Sequence, residues 1–159
     1  MRRLVAFSTG AELRYQVFDE KNENWKKEFA ELKELLSEDE YTAARATVNN
    51  AFYTAPEVAS CMSQALVQFG FRGGNVLEPS MGIGNFFGTI PTPLQRSNLY
   101  GVELDSISGR IAGQLYQKAN ISITGFEKTT YPDNFFDAVI GNVPFGDYKV
   151  FDPKYNKYN

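Results

Sequence analysis

Histidine is absent from this chain, and cysteine occurs once in 159 residues, at Cys61. The first absence removes Ser/His/Asp catalysis and most zinc chemistry, because imidazole is the usual base near neutral pH and the commonest metal ligand. No metal site is expected. A single cysteine excludes an internal disulfide, and with no visible signal peptide it points to a reducing, cytoplasmic setting. No apolar run approaches the ~20 residues of a membrane-crossing helix, so no membrane partner is expected. Positive charge is in slight deficit. Sixteen Lys and Arg against nineteen Asp and Glu give a net charge of −3, which provides no overall basic field to draw nucleic acid and leaves only a local patch for that purpose. Internal repeats and low-complexity tracts are missing too. What remains is a chain of 43% hydrophobic residues, enough for one globular domain with a real core and too short for a second full one.

Residues 1–17 carry no assignable signal beyond a short apolar stretch at Leu4 to Phe7. Trp25, Phe29, Leu32 and Leu36 then fall at helical spacing, with Lys and Glu on the other face, which predicts an amphipathic helix. Ser37 and Glu40 have the form of a capping box, opening a second helix that turns Tyr41, Ala44 and Val48 inward. Thr54 and Glu57 form another such pair, with Pro56 tolerated in the first turn. The helix that follows carries an apolar stripe of Val58, Met62, Ala65, Leu66 and Phe69 and ends at Gly70.

The chain is organised around the stretch from Asn75 to Phe87. Val76 and Leu77 read as the end of a buried strand, Gly82 and Gly84 permit a tight turn, and Phe86 and Phe87 begin a helical pattern. In an α/β sheet a ligand binds at the carboxyl ends of the strands, beside the helix amino terminus that such a turn creates. Taken alone, the loop also fits a strand-to-helix turn with no ligand. The dinucleotide fingerprint calls for a third small residue where Phe87 stands, which disfavours NAD. A second strand, Leu99 to Asp105, ends in acids. Glu103 lies about twenty residues past the loop, where an acid can accept both hydroxyls of a ribose, while Asp105 is expected to cap the helix carrying Ile107, Ile111 and Leu115. Ile121 to Ile123 predicts a third strand, and Phe136 to Gly141 a fourth that runs into Asn142-Val143-Pro144-Phe145.

Glu78-Pro79-Ser80-Met81-Gly82-Ile83-Gly84-Asn85-Phe86 resembles the S-adenosylmethionine loop of amino-methylating DNA methyltransferases, whose pattern is acid-Pro-x-x-Gly-x-Gly-x-Phe. Phe52-Tyr53-Thr54 resembles the Phe-Tyr-Thr-Pro segment whose groups touch the methionine part of the cofactor in that family, with Ala55 in place of the proline. Gly101-Val102-Glu103 resembles the family's ribose-binding strand end. After the third strand the family has an acid and an aromatic that hold the adenine of the cofactor. Here Gly125 replaces the acid, Phe126 keeps the ring, and Glu127 offers an acceptor from a shifted position. Asn142-Val143-Pro144-Phe145 resembles the Asn-Pro-Pro-Tyr/Phe catalytic motif, with Val143 in place of a proline.

The resemblance extends over residues 18–159 to the methylase portion of the large methylase-helicase proteins of conjugative elements and phages, through Phe18 to Trp25, Leu77 to Gly82 and Gly141 to Tyr148. It implies a Rossmann-like α/β methyltransferase core at residues 49–159, C-terminally incomplete, with strand order 3-2-1-4 and a helical extension at residues 1–48. It implies S-adenosylmethionine-dependent methylation of the exocyclic amine of adenine in DNA, with the base flipped into the site. The implied partners are DNA and the remainder of a longer chain, and the free edge of the fourth strand offers a surface for self-association. A chain of this length alone is expected to be inactive. Two other readings stay open: methylation of a glutamine amide in a protein, since the four-residue motif serves any planar amide or amine, and a non-catalytic cofactor- or DNA-binding module of a helicase or antirestriction protein.

Overall fold

The computed structural model describes residues 16–50 and 53–144, with residues 47–50 described in backbone only. Four parallel strands form one sheet in the order β3-β2-β1-β4, the order expected: β1 is Asn75–Glu78, β2 Asn98–Glu103, β3 Asn120–Ile123 and β4 Ala138–Val139. Val76 and Leu77 face opposite sides of β1 and are both buried, as a central parallel strand requires. Register places Leu77 beside Tyr100 on β2 and beside Val139 on β4.

β4 is shorter than the expected run from Phe136 to Gly141, because among the described residues it pairs with β1 alone. Its flanks still bond to β1, through Asp137 N–H to the Asn75 carbonyl and Ile140 N–H to the Leu77 carbonyl, both at 2.9 Å. Phe136 is drawn instead into an aromatic group with Tyr100, Tyr131 and Phe135, the rings meeting edge to face at 4.7 to 5.4 Å for the closest pairs.

Among the described residues, three α-helices precede β1 in the chain. Helix α1 (Lys26–Leu35) follows a short turn at Glu23–Trp25, and α2 spans Glu38–Asn50. The Ser37–Glu40 capping box forms in both directions, with Ser37 N–H donating to Glu40 Oε2 at 3.1 Å and Glu40 N–H to Ser37 Oγ at 3.2 Å. Helix α2 continues across the expected boundary at residue 48 and packs against α5 (Ser106–Leu115), the helix between β2 and β3, so the extension and the core share a contact surface.

Helix α3 (Pro56–Gln68) departs from expectation twice. Ala55, not Thr54, is its N-cap residue and makes no side-chain cap, because Pro56 takes the first helical position. The buried face runs through Ala59 and Ser63 with Leu66 beside them, while Val58, Met62 and Phe69 are exposed. Helix α5 (Ser106–Leu115) behaves alike: Ser108, Gly109 and Ala112 are buried and Leu115 is exposed. In both helices the small residues face the sheet because they permit close approach; a Cβ on Gly109 would stand 2.9 Å from Ile123. Between them, the four-residue α4 (Asn85–Gly88) inserts Phe86 beside Ala59, Val76 and Ile140, and Phe87 beside Met81 and Ala112. These two clusters fix the loop between β1 and α4 against the sheet.

Candidate functional site

Parallel strands deliver their carboxyl ends to one edge of the sheet, and there β1 ends in Glu78 and β2 in Glu103. The chain from Pro79 to Gly84 turns across this edge. Met81 N–H donates to the Val102 carbonyl at 2.9 Å, and the Met81 side chain fills the space left open at Gly101. Gly82 and Gly84 adopt φ of 55° and 85°, a left-handed backbone that other residues take at a cost, and a Cβ on either would collide with an aromatic ring. Those rings are Tyr53 over Gly82 and Tyr116 under Gly84.

Glu103 holds the turn directly. Its Oε2 accepts from Gly82 N–H at 2.6 Å and its Oε1 from Asp105 N–H at 2.7 Å, short bonds of the charge-assisted kind. Burial pushes the Glu103 carboxyl upward, and these two backbone donors work against that push. Asp105 caps α5 as expected, Oδ2 accepting from Ser108 N–H at 2.7 Å, while its Oδ1 is buried without a partner among the described residues.

Glu78 is the anomaly. It is only 2% exposed, and its Oε2 has no hydrogen-bond partner among the described residues. Burial first and the neighbouring charge of Glu103 second push its carboxyl up to about 9. The same region raises the Tyr116 phenol, through burial and then through the charge of Glu78. A buried carboxyl lacking a donor is costly to ionise, and a cation or strong donor brought to it would remove that cost.

The segment before α3 closes over the turn. Tyr53 and Ser108 share a hydrogen bond between hydroxyls at 3.0 Å, and Asn85 Nδ2 donates to the Thr54 carbonyl at 2.9 Å. On the β3 side, Thr124 N–H donates to the Glu103 carbonyl at 2.9 Å, which brings the turn at Phe126–Lys128 to the same edge. Phe126 is half exposed there. The Glu127 carboxylate folds back into the space that a side chain at Gly125 would take. On the β4 side, Gly141 approaches Pro79, with 3.3 Å from a Cβ position to Pro79 Cδ, and the half-buried Asn142 follows it; Val143 and Pro144 are exposed.

The structure thus joins Tyr53, Gly82 and Glu103 through direct contacts, with Thr54 bonded to Asn85, Gly84 against Tyr116, and Glu78 and Pro79 beside Gly141; Phe126, Glu127 and Asn142 stand at flanking strand ends. Phe52 and Phe145 lie outside the described residues. Asn85, Ser108 and Tyr116 join the site without having been singled out by sequence; only Asn85, next to Gly84, sat within a motif. Among the described residues no cluster of three or more His, Cys, Asp or Glu could hold a metal ion, and no helix is long and apolar enough to cross a membrane.

No family model matches the chain. It is similar to the Defense against restriction protein B of Escherichia phage P1, with 36% identity over 97 residues, or 60% of this chain and 4% of that protein. Among solved structures, the plantazolicin methyltransferase BpumL in complex with SAH aligns at a TM-score of 0.45 and 15% identity, over 88% of this chain and 49% of that one. A TehB-like SAM-dependent methyltransferase from Corynebacterium glutamicum aligns at 0.43 and 18%, over 76% and 54%. The chain therefore spans about half the length of these solved structures and a small part of the phage protein.

Proposed function

We propose that the crevice at the carboxyl ends of β1 and β2 binds S-adenosylmethionine, and that the protein uses it to methylate the exocyclic amine of adenine in DNA. The observation that carries the reading is Glu78, a carboxyl 2% exposed with an unpartnered oxygen, at the strand end that leads into a left-handed glycine turn and beside a second acid. Such a place suits a ligand that brings positive charge to a strand end, and the ammonium and sulfonium of this cofactor do so. An anionic phosphate ligand, which brings neither a cation nor a donor, would leave Glu78 unrelieved.

When bound, S-adenosylmethionine supplies an electrophilic methyl group on sulfur. The chain's own residues bind and orient. Glu103 retains lone pairs beyond the two backbone donors it accepts, which suits it to ribose hydroxyls. Gly82 and Gly84 let the backbone approach, Pro79 sets the turn, and Phe52, Tyr53 and Thr54 cover the methionine end. Phe126 offers a face to an adenine ring, and the position of the Glu127 carboxylate against Gly125 supports its use as the acceptor for the cofactor's adenine amine.

For transfer, Asn142 Oδ1 and the Val143 carbonyl accept the two N–H groups of the target amine, which draws its lone pair out of conjugation, while Pro144 fixes the turn and Phe145 stacks on the flipped base. No strong base is needed, because the proton becomes acidic only as the methyl arrives. Likeness to a phage antirestriction protein supports a DNA-facing role, and its 4% coverage supports action within a longer protein.

The test follows tritium from methyl-labelled cofactor in the presence of DNA, using the chain and a longer protein that contains it. Label recovered as methylated adenine supports the proposal. Label in protein moves the substrate to a glutamine amide, and cofactor binding with label in neither leaves a non-catalytic module.

A further inference from the structure

Ser108 belongs to no motif, yet it ties together groups far apart in the sequence. It lies in the first turn of α5, is 5% exposed, donates its N–H to Asp105 and shares a 3.0 Å hydrogen bond with the hydroxyl of Tyr53, fifty-five positions earlier. Followed outward, these contacts close on themselves. Gly82 N–H and Asp105 N–H donate to the two oxygens of one carboxylate, Glu103; Asp105 accepts from Ser108; Ser108 meets Tyr53; and the Tyr53 ring rests on Gly82, where a Cβ would stand 2.7 Å from Cε1.

We infer that Ser108 is a positioning residue for ligand binding: it holds Tyr53 across the glycine turn at a fixed height above Gly82 and Glu103. The inference rests on the cofactor reading above and deepens it by naming what sets the crevice's width. Three of the links are backbone donors on short, fixed turns, so the loop, the acid and the start of α5 move as one unit. The Tyr53 segment joins that unit from outside through a side-chain hydroxyl, with the Asn85 bond to the Thr54 carbonyl as a second tie on the adjacent residue. Without the serine hydroxyl, Tyr53 keeps its ring contact with Gly82 but loses its hydrogen bond to α5. The crevice is then less preorganised, and the ordering is charged to ligand binding.

A merely structural Ser108 would pack α5 against the sheet and affect stability alone. Calorimetric titration of S-adenosylhomocysteine into the parent, Ser108→Ala, Tyr53→Phe and the double variant separates the cases, with melting temperatures measured in parallel. Alanine favours the helix and phenylalanine keeps the ring, so both variants retain the packing that the fold uses. The expected result is an affinity loss of about five- to tenfold in each single variant, the scale of one hydrogen bond, and no further loss in the double variant because both remove the same bond. Parent affinity in both single variants, or losses that multiply in the double variant, would overturn the inference while leaving the cofactor reading intact. No binding by the parent would instead refute the cofactor reading, and the inference with it.

Discussion

Replacing Glu78 by glutamine should change how stability depends on pH. In the folded chain the carboxyl is pushed from an ordinary value of 4.5 up to about 9, so between those values the folded state holds a proton that the unfolded state has released. The folded state binds more protons throughout that window, and its stability therefore falls as pH rises, by about 1.4 kcal/mol for each unit of pH. From 4.5 to neutrality the loss amounts to about 3 kcal/mol, a large share of a small domain's stability. Glutamine has the shape of the protonated acid and does not titrate. Its buried amide donors lack the partner that Oε2 also lacks, at a cost of about 1 to 3 kcal/mol that does not vary with pH. The diagnostic is accordingly the slope. Urea unfolding from pH 5 to 8.5 should show the parent losing ground on Glu78→Gln by about 1.4 kcal/mol per pH unit, and saturating S-adenosylhomocysteine, whose ammonium relieves the charged form, should flatten the parent's profile. Parallel profiles for parent and variant would refute the assignment of Glu78 as a buried carboxyl awaiting a cation.

Other perturbations address single groups. Glu103→Ala should weaken calorimetric affinity for S-adenosylhomocysteine by about 1.5 to 3 kcal/mol, the value of a hydrogen bond to a charged acceptor; unchanged affinity removes Glu103 from the site. Asn142→Ala in the longer protein should abolish methyl transfer, with cofactor affinity and melting temperature nearly intact, and a large fall in stability would make Asn142 a turn residue only. Gly82→Ala places a Cβ 2.7 Å from the Tyr53 ring at a φ of 55°, so thermal unfolding should show a loss of about 1 to 3 kcal/mol together with weakened ligand binding.

The strand positions were legible because three of the four strands end in a chemical signal: glycines after β1, acids at the end of β2, the Gly-Asn pair after β4; their order was the one that the methyltransferase resemblance implies. Helix faces were read less well. Hydrophobicity favours large residues, so Val58, Met62 and Leu115 looked inward, but close approach to the sheet selects Ala59, Ser63, Ser108 and Gly109. The Thr54 cap failed for a local reason, since Pro56 sets the first helical residue and moves the cap to Ala55. At the site, Gly82 and Glu103, about twenty residues apart, meet at the ends of neighbouring strands through a hydrogen bond. Ser108 and Tyr116 could not be found that way, because a serine or tyrosine in a helix carries no pattern until the fold brings it to a glycine turn. The fourth strand's length was likewise a tertiary matter, set by the pairing available to it.

The central claim, that the glycine turn and the two strand-end acids bind S-adenosylmethionine or its product, is tested most directly by amide NMR during a titration with S-adenosylhomocysteine. Gly82 and Asp105 both donate their N–H to the carboxylate of Glu103, so their resonances report on that acid from two sides. Ligand binding at this turn shifts both along one saturating isotherm, while the amide of Lys33 on the exposed face of α1 stays still. Saturable shifts confined to other parts of the chain, or none at all, would contradict it.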